Sequence, residues 1–95
     1  MPTEFEWDAN KAKINLHKHG IRFEDAVFVF DDPYHLSRQD RYVNGEYRWQ
    51  TIGLINGVVV IVAVHTVRFE SGAEIIRVIS ARKANLKERN LYEHH

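Results

Sequence analysis

The sequence predicts an α+β fold in which two N-terminal helices pack on a four-stranded antiparallel meander sheet that is followed by a C-terminal helix. The second half of the chain carries three dipeptides typical of two-residue hairpin turns, Asn44-Gly45, Asn56-Gly57 and Ser71-Gly72. The first third instead has the apolar spacing and the end signals of helices. A chain of 95 residues can form one hydrophobic core. We therefore predict one domain, residues 1–95, with the element order ααββββα.

Two helices are predicted before Pro33. The first begins after Asp8, a favourable N-cap residue, and ends at Gly20, which can adopt the left-handed conformation that often terminates a helix. The second has an apolar stripe at positions i, i+3, i+4 and i+7, formed by Phe23, Ala26, Val27 and Phe30. It should end near Asp32, because a residue that precedes proline disfavours helical backbone. Phe5 and Trp7, just before the first helix, are expected to pack on the core.

Four strands are predicted between the helices, at residues 37–43, 46–55, 58–69 and 74–81. Residues 58–64 are continuously apolar and almost all β-branched, so the third strand should be central and covered on both faces. The C-terminal helix is predicted to begin near Ser80 and to extend to about Tyr92.

The turn lengths predict which side chains share a face of the sheet, since directly opposed residues project to the same side. A two-residue turn at Ser71-Gly72 places Thr66 opposite Arg77, and one at Asn56-Gly57 places Trp49 opposite Val64. One face is then expected to carry Tyr47, Trp49, Thr66, Arg68 and Arg77. His65 and Arg48 are expected on the other face, unless a β-bulge moves His65 across.

Arg77 lies in the middle of an otherwise apolar predicted strand. A guanidinium in a sheet needs an anionic partner, which would be a phosphate or a carboxylate such as that of Glu70 or Glu74. Two arginines beside two aromatic side chains could hold a phosphodiester and stack a base. In the alternative interpretation the aromatic residues belong to the core, Arg68 is a solvated strand end and His65 is a structural core histidine.

Composition limits the classes of function. Thirteen basic and thirteen acidic residues give a net charge of zero, which argues against a protein that coats nucleic acid non-specifically. Residues 77–89 are nevertheless strongly basic, so a small basic site is possible. No apolar run approaches the roughly 20 residues that span a bilayer, and the N-terminus lacks signal-peptide features, so we expect a cytoplasmic protein. His17, His19 and His35 do not have a convincing metal-ligand spacing, and no metal site is predicted.

Several segments resemble the BrnT family of bacterial toxins. They are Phe5-Glu-Trp-Asp8, Lys11, Asn15, Lys18-His19-Gly20, Phe23-Glu24, Val29-Phe30-Asp-Asp-Pro33, Arg77-Val-Ile-Ser-Ala-Arg-Lys-Ala84, Glu88-Arg89 and Tyr92-Glu93. Together they cover essentially the whole chain in order. The resemblance implies a RelE-like fold, with helices packed on an antiparallel sheet.

The same resemblance implies a toxin of a type II toxin–antitoxin pair that cuts RNA without a cofactor. Its partner would be a small antitoxin, BrnA, that masks the toxin and binds operator DNA. Carried over position by position, the active surface would comprise His65, Arg68, Arg77, Arg82, Lys83, Glu88 and Tyr92. The net charge of zero is low for a ribonuclease and predicts weak or substrate-restricted activity.

Metal-free RNA cleavage needs a base for the 2′-hydroxyl, positive charge for the transition state and an acid for the leaving oxygen. Arginine does not titrate usefully, so Arg68, Arg77 and Arg82 would stabilise charge and bind phosphate. His65 or Glu88 is the candidate base, with an arginine-only site as the alternative. Trp49, Lys83 and Tyr92 are the candidate substrate-binding residues.

Two other functions are compatible with the sequence. The chain could be a catalytically inert binding module that acts as a co-repressor subunit with a DNA-binding antitoxin. It could also bind RNA without cutting it.

Overall fold

The computed structural model of the protein describes residues 1–57 and 59–95, whose strands form one mixed five-stranded sheet. The strands are β1 (Thr3–Glu6), β2 (Leu36–Val43), β3 (Glu46–Ile55), β4 (Val59–Glu70) and β5 (Ala73–Lys83). Their order across the sheet is β1-β5-β4-β3-β2, so β1 and β2 are the edge strands. The helices are α1 (Ala9–His19), α2 (Phe23–Ala26), a 3-10 helix (Val27–Asp31) and α3 (Leu86–Glu93).

The ends of α1 are those predicted. The side chain of Asp8 accepts hydrogen bonds from the backbone N–H groups of Asn10 and Lys11, and Gly20 ends the helix with a φ of 71°. The second predicted helix divides into α2 and the 3-10 helix, and it stops before Asp32, whose backbone is extended as expected before proline. For this second segment, the prediction was wrong only in expecting one continuous α-helix.

The prediction of a purely antiparallel four-stranded sheet is wrong, because residues 3–6 form a fifth strand. This strand, β1, pairs in parallel with β5 and brings Glu6 next to Arg77. The alternation in Glu4-Phe5-Glu6-Trp7 is typical of a strand with one buried face. Phe5 packs on Phe30 with ring centroids 5.5 Å apart, and Trp7 meets Phe23 edge-on.

The three predicted turns are present, with positive φ at both residues of each dipeptide. The four antiparallel strands also lie close to the predicted ranges, although Val58, the predicted first residue of the third strand, lies outside the described residues. The register of the second hairpin differs by one residue from the prediction. Ile55 pairs with Val59, so Trp49 lies opposite His65 rather than opposite Val64.

The C-terminal helix begins later than predicted because β5 continues to Lys83. The long strand β4 supplies pairing partners for residues 80–83, so Ser80 does not break the strand. Val64 pairs with Ser80 and His65 with Val78, which leaves Ile79 as the extra residue of a β-bulge. The helix signal that was overlooked is the capping box formed by Asn85 and Glu88.

The main hydrophobic cluster lies on one side of the sheet, which we call the helix face because α1, α2 and the 3-10 helix pack on it. Its fully buried members include Phe23, Ala26, Val29, Ile61, Ala63, Val78 and Ala81. Buried Asn15 fastens α1 to this face: its amide donates to the backbone oxygens of Ile21 and Ala81, and it accepts from the Ala81 N–H. All its polar atoms are thereby satisfied.

Candidate functional site

The opposite side of the sheet, which we call the arginine face, carries arginines from four strands. Thr66 lies opposite Arg77, and Val62 lies opposite Arg82. Because side chains alternate along a strand, residues 62, 66 and 68 of β4 share this face. The pairing of Trp49 with His65 places Arg48 on the same side. The members from the four strands are Arg38, Arg48, Arg68, Arg77 and Arg82.

One end of this face holds the Arg82 cluster, formed by Arg38, Arg82, Asn85 and Glu88. The guanidinium of Arg82 donates two hydrogen bonds to the Glu88 carboxylate, at 2.7 and 2.8 Å, and Arg38 lies 3.5 Å from the same carboxylate. Glu88 also accepts from the backbone N–H of Asn85. The hydrogen bonds from Arg82 hold the pKa of Glu88 below its ordinary value, so this carboxylate is charged at neutral pH.

The other end holds the Arg77 cluster, formed by Glu6, Arg48, Arg68 and Arg77. Since Arg82 and Arg77 lie opposite β4 residues four positions apart, the two clusters are separated by about 13 Å along the strand. Arg68 donates to both oxygens of Glu6, at 2.8 and 3.0 Å, and also to Glu70 at 3.0 Å. Arg68 is therefore held in place by two carboxylates rather than being a free strand end.

Arg77 is the half-buried arginine expected to need an anionic partner, and among residues 1–57 and 59–95 it forms no ion pair within 4.0 Å. The two carboxylates proposed from the sequence are engaged elsewhere. Glu74 accepts from the hydroxyl of Thr3, and Glu70 bonds Arg68. The guanidinium of Arg77 is thus available to an external anion.

Arg48 lies on the same face as Arg77 but two strands away, with buried Thr66 of β4 between them. Its Nε is buried and has no hydrogen-bond partner in the described part of the chain. A buried N–H of a charged group without a partner costs free energy, which an anionic ligand would recover. Arg48 and Arg77 therefore lie on the same face two strands apart, and neither guanidinium is paired with a carboxylate among the described residues.

His65 and Trp49 lie on the helix face, away from all these arginines. They line a cleft of about 470 Å³ together with Phe30, His35 and Ser37. The separation of His65 from Arg77 agrees with the sequence prediction, whereas the placement of Trp49 beside Arg77 was wrong. The one-residue change in register between β3 and β4 exchanges Trp49 for Arg48.

His65 is 3% exposed, and interior groups engage both of its ring nitrogens. Its Nδ1 lies 3.4 Å from the backbone oxygen of Thr66, which can only accept, so this nitrogen carries the proton. Its Nε2 then accepts from the hydroxyl of Thr51 at 2.8 Å, and Thr51 in turn contacts the Ser37 hydroxyl at 2.7 Å. Phe30 meets the imidazole edge-on at 5.0 Å. His65 has the surroundings of a structural histidine.

The burial of His65 should make the protein less stable as the pH falls from about 6.5 to about 4. Burial lowers the pKa of His65 from 6.5 to about 4, so between these values the unfolded chain binds a proton that the folded chain does not. The free energy of unfolding is therefore highest above the unfolded-state pKa of His65 and decreases progressively as the pH falls toward the folded-state pKa. The loss should reach roughly 3 kcal/mol. Urea unfolding across this range, compared with His65→Gln, isolates the contribution of His65; parallel pH dependences in the two proteins would contradict the expectation.

The remaining predicted site residues are separated from the Arg77 cluster. Lys83 lies opposite Ile61 at the end of β5, so it points to the helix face, where it is exposed. Tyr92 donates its hydroxyl proton to Asp32 at 2.5 Å, and burial together with this bond raises the pKa of Tyr92 to about 12. Neither residue reaches Arg77 from these positions.

Two residues of the arginine face, Glu6 and Arg48, were not found by sequence reasoning. The alternating pattern of residues 4–7 could have indicated the strand that carries Glu6. Arg48 required the register of the second hairpin, which the Asn56-Gly57 dipeptide does not fix by itself.

Metal-ligand clusters and membrane-spanning helices are both absent from the described residues 1–57 and 59–95. No group of three or more His, Cys, Asp or Glu side chains in these ranges is placed to hold a metal ion. No helix in them is long and apolar enough to cross a membrane.

The chain matches a family model and is similar to a solved structure. Residues 7–88 match the family model described as "Ribonuclease toxin, BrnT, of type II toxin-antitoxin system". No curated protein sequence matches the chain. The chain is similar to the 1.1 Å crystal structure of the Brucella abortus ribonuclease toxin BrnT, with a TM-score of 0.60 and 26% sequence identity, over 90% of this chain and 99% of that one.

Proposed function

Because the chain belongs to the BrnT family of ribonuclease toxins of type II toxin–antitoxin systems, we propose that it is a metal-independent endoribonuclease of the cytoplasm that a cognate antitoxin neutralises. Its substrate is RNA, and cleavage arrests translation and growth. The antitoxin is a small BrnA-like protein that binds operator DNA and covers the toxin.

The observation that carries the proposal is the guanidinium of Arg77, which is half-buried on the arginine face and has no ion-pair partner among the described residues. Arg68 and Arg82 are each held by carboxylates, whereas the buried Nε of Arg48, like Arg77, has no such partner in the same part of the chain. Two guanidinium groups on the same face can bind the non-bridging oxygens of a phosphodiester and stabilise the additional negative charge of the transition state. We therefore place the scissile phosphate at Arg48 and Arg77.

Other arginines have supporting roles in this proposal. Arg38 and Arg82, about 13 Å away along the sheet, can contact the RNA backbone on one side of the cleavage position. Glu88 serves mainly to hold Arg82, because it is buried and already accepts hydrogen bonds from Arg82 and Asn85. His65 does not serve as the base, since it lies on the opposite face and is engaged in the interior.

Purified protein should cleave naked structured RNA in the presence of excess EDTA and leave a 2′,3′-cyclic phosphate on the upstream fragment. The reason is that a 2′-hydroxyl nucleophile activated by protein groups requires no metal ion. The measurement is gel analysis of end-labelled RNA, with the end group identified by mass spectrometry. A matched RNA carrying 2′-O-methyl groups is the control and should remain intact. If the folded protein leaves both RNAs intact in EDTA, the proposal of an autonomous, metal-independent nuclease is wrong.

A second series separates the nuclease from the inert co-repressor subunit. Adding increasing amounts of the co-expressed antitoxin should reduce cleavage to zero at a fixed stoichiometry. A protein that binds the antitoxin with high affinity but never cuts RNA, alone or with ribosomes, would instead be the co-repressor.

A further inference from the structure

The carboxylate of Glu6 lies at the Arg77 cluster, on a strand that the family match, which begins at residue 7, does not include. Glu6 is directly opposed to Arg77 in the parallel pairing of β1 with β5. Arg68 fixes its carboxylate through both oxygens, at 2.8 and 3.0 Å. The side chain of Glu6 remains 43% exposed, so a substrate can reach it. We propose that Glu6 is the general base that activates the 2′-hydroxyl of the RNA.

The other carboxylates of this region are less suitable. Glu88 is 7% exposed in its side chain and is enclosed by the guanidinium groups of Arg82 and Arg38 and the Asn85 N–H. Glu70 also bonds Arg68, but it lies opposite Ala73 at the end of β4, four positions beyond the residue opposed to Arg77. Glu6, in contrast, is accessible to solvent and lies directly opposite Arg77, whose guanidinium is available to a substrate.

The inference rests on the proposed ribonuclease function and completes its chemistry. The carboxylate of Glu6 takes the proton of the 2′-hydroxyl as the 2′-oxygen attacks the phosphorus atom. Arg77 and Arg48 stabilise the negative charge that develops on the non-bridging oxygens. The bond from phosphorus to the 5′-oxygen then breaks, and this oxygen takes a proton from water. The products are a 2′,3′-cyclic phosphate and a 5′-hydroxyl, and the proton on Glu6 passes to solvent.

Arg68 acts as the positioning residue for this base. It holds the carboxylate in one orientation, and its hydrogen bonds lower the pKa of Glu6 below the ordinary value. The charged groups that face Glu6 are Arg68 and Glu70 of β4 and Arg77 of β5, with Asp8 following in the chain.

The chain offers a matched pair of variants to test the proposal. Glu6→Gln and Glu70→Gln each remove one carboxylate partner of Arg68 without changing side-chain volume. We expect Glu6→Gln to lower kcat by at least about a hundredfold, the usual contribution of a general base, and Glu70→Gln to remain within about twofold of the wild type. Binding of a 2′-O-methyl RNA, measured by fluorescence anisotropy, should be retained by both variants, since the base contributes to the reaction rather than to phosphate binding.

Each result has a defined meaning. If the wild type cleaves in EDTA and the two variants cleave equally well, Glu6 is not the base, although the ribonuclease function stands. If the wild type itself does not cleave, the proposed function fails first. A loss of kcat in Glu6→Gln that is matched by an equal loss of thermal stability, but not in Glu70→Gln, would assign Glu6 a structural role.

The dependence of kcat on pH gives a further readout. In the wild type the rate should stay constant from neutral pH down to the lowered pKa of Glu6 and then fall, because the protonated carboxyl cannot accept a proton. In Glu6→Gln the residual rate should lack this decrease. A decrease that persists unchanged in Glu6→Gln would assign it to another group and overturn the proposal.

Discussion

Replacing Arg77 by Ala should lower the rate of RNA cleavage by roughly a hundredfold or more, because it removes a guanidinium that stabilises the transition state. The free energy of unfolding should change by no more than about 1 kcal/mol, since Arg77 forms no ion pair within the described residues and loses only the packing of its half-buried stem. Single-turnover cleavage in EDTA and urea unfolding measure the two quantities.

Two further variants make the Arg77 experiment specific. Arg77→Lys keeps the charge but not the planar fork, and we expect it to recover only part of the rate. Arg22→Ala removes an exposed arginine that pairs with Glu24 and lies outside the arginine face, so its rate should match the wild type. Equal losses of activity and stability in Arg77→Ala would show that Arg77 is structural and that the phosphate binds elsewhere.

Replacing Glu88 by Ala should lower the free energy of unfolding by about 3 kcal/mol, a larger loss than that expected for Arg77→Ala. Glu88 is nearly buried, and its removal leaves the guanidinium of Arg82 without its bidentate partner. It also removes one half of the capping box of α3, whose other half is the Asn85 side chain. For a domain of this size the midpoint of thermal unfolding should fall by more than about 10 °C.

A double-mutant cycle with Arg82→Ala measures the interaction itself. The double variant should be destabilised by much less than the sum of the two single variants, because the pair is lost only once. Because Arg82 forms a bidentate bond to Glu88, the single variant Arg82→Ala should lose stability as well as activity. Additive effects would contradict an energetic link between Arg82 and Glu88.

Much of the fold could be predicted because local signals and tertiary structure agree. Asp8 and Gly20 delimit α1 as their chemistry dictates, and the three turn dipeptides adopt positive φ, which glycine and asparagine tolerate and which Ser71 also adopts. The strand β1 was overlooked because its local signal is only four residues long and its pairing partner in β5 is 71 positions away. Similarly, Ser80 remains in β5 because β4 is long enough to pair with it.

The set of residues that form the site was harder to predict than the fold. It depends on whether an odd or an even number of positions separates two side chains along a strand. Arg77 and Arg82 are five residues apart, and in a regular strand they would project to opposite faces. The bulge at Ile79 reverses the alternation and places both on the arginine face. In the same way, the one-residue difference in the register between β3 and β4 exchanges Trp49 for Arg48 on that face. A sequence shows which residues are available, but a single-residue change in register decides which of them meet.

The parallel pairing of β1 with β5 has a consequence for how the protein is made. The third residue of the chain pairs with residue 74 and the sixth with residue 77, so these contacts close only after most of the polypeptide has been synthesised. A nascent chain therefore lacks the edge where Glu6, Arg68 and Arg77 meet until its last strand has left the ribosome. A chain that ends before residue 74 therefore cannot assemble this cluster, whatever the rest of its sequence folds into.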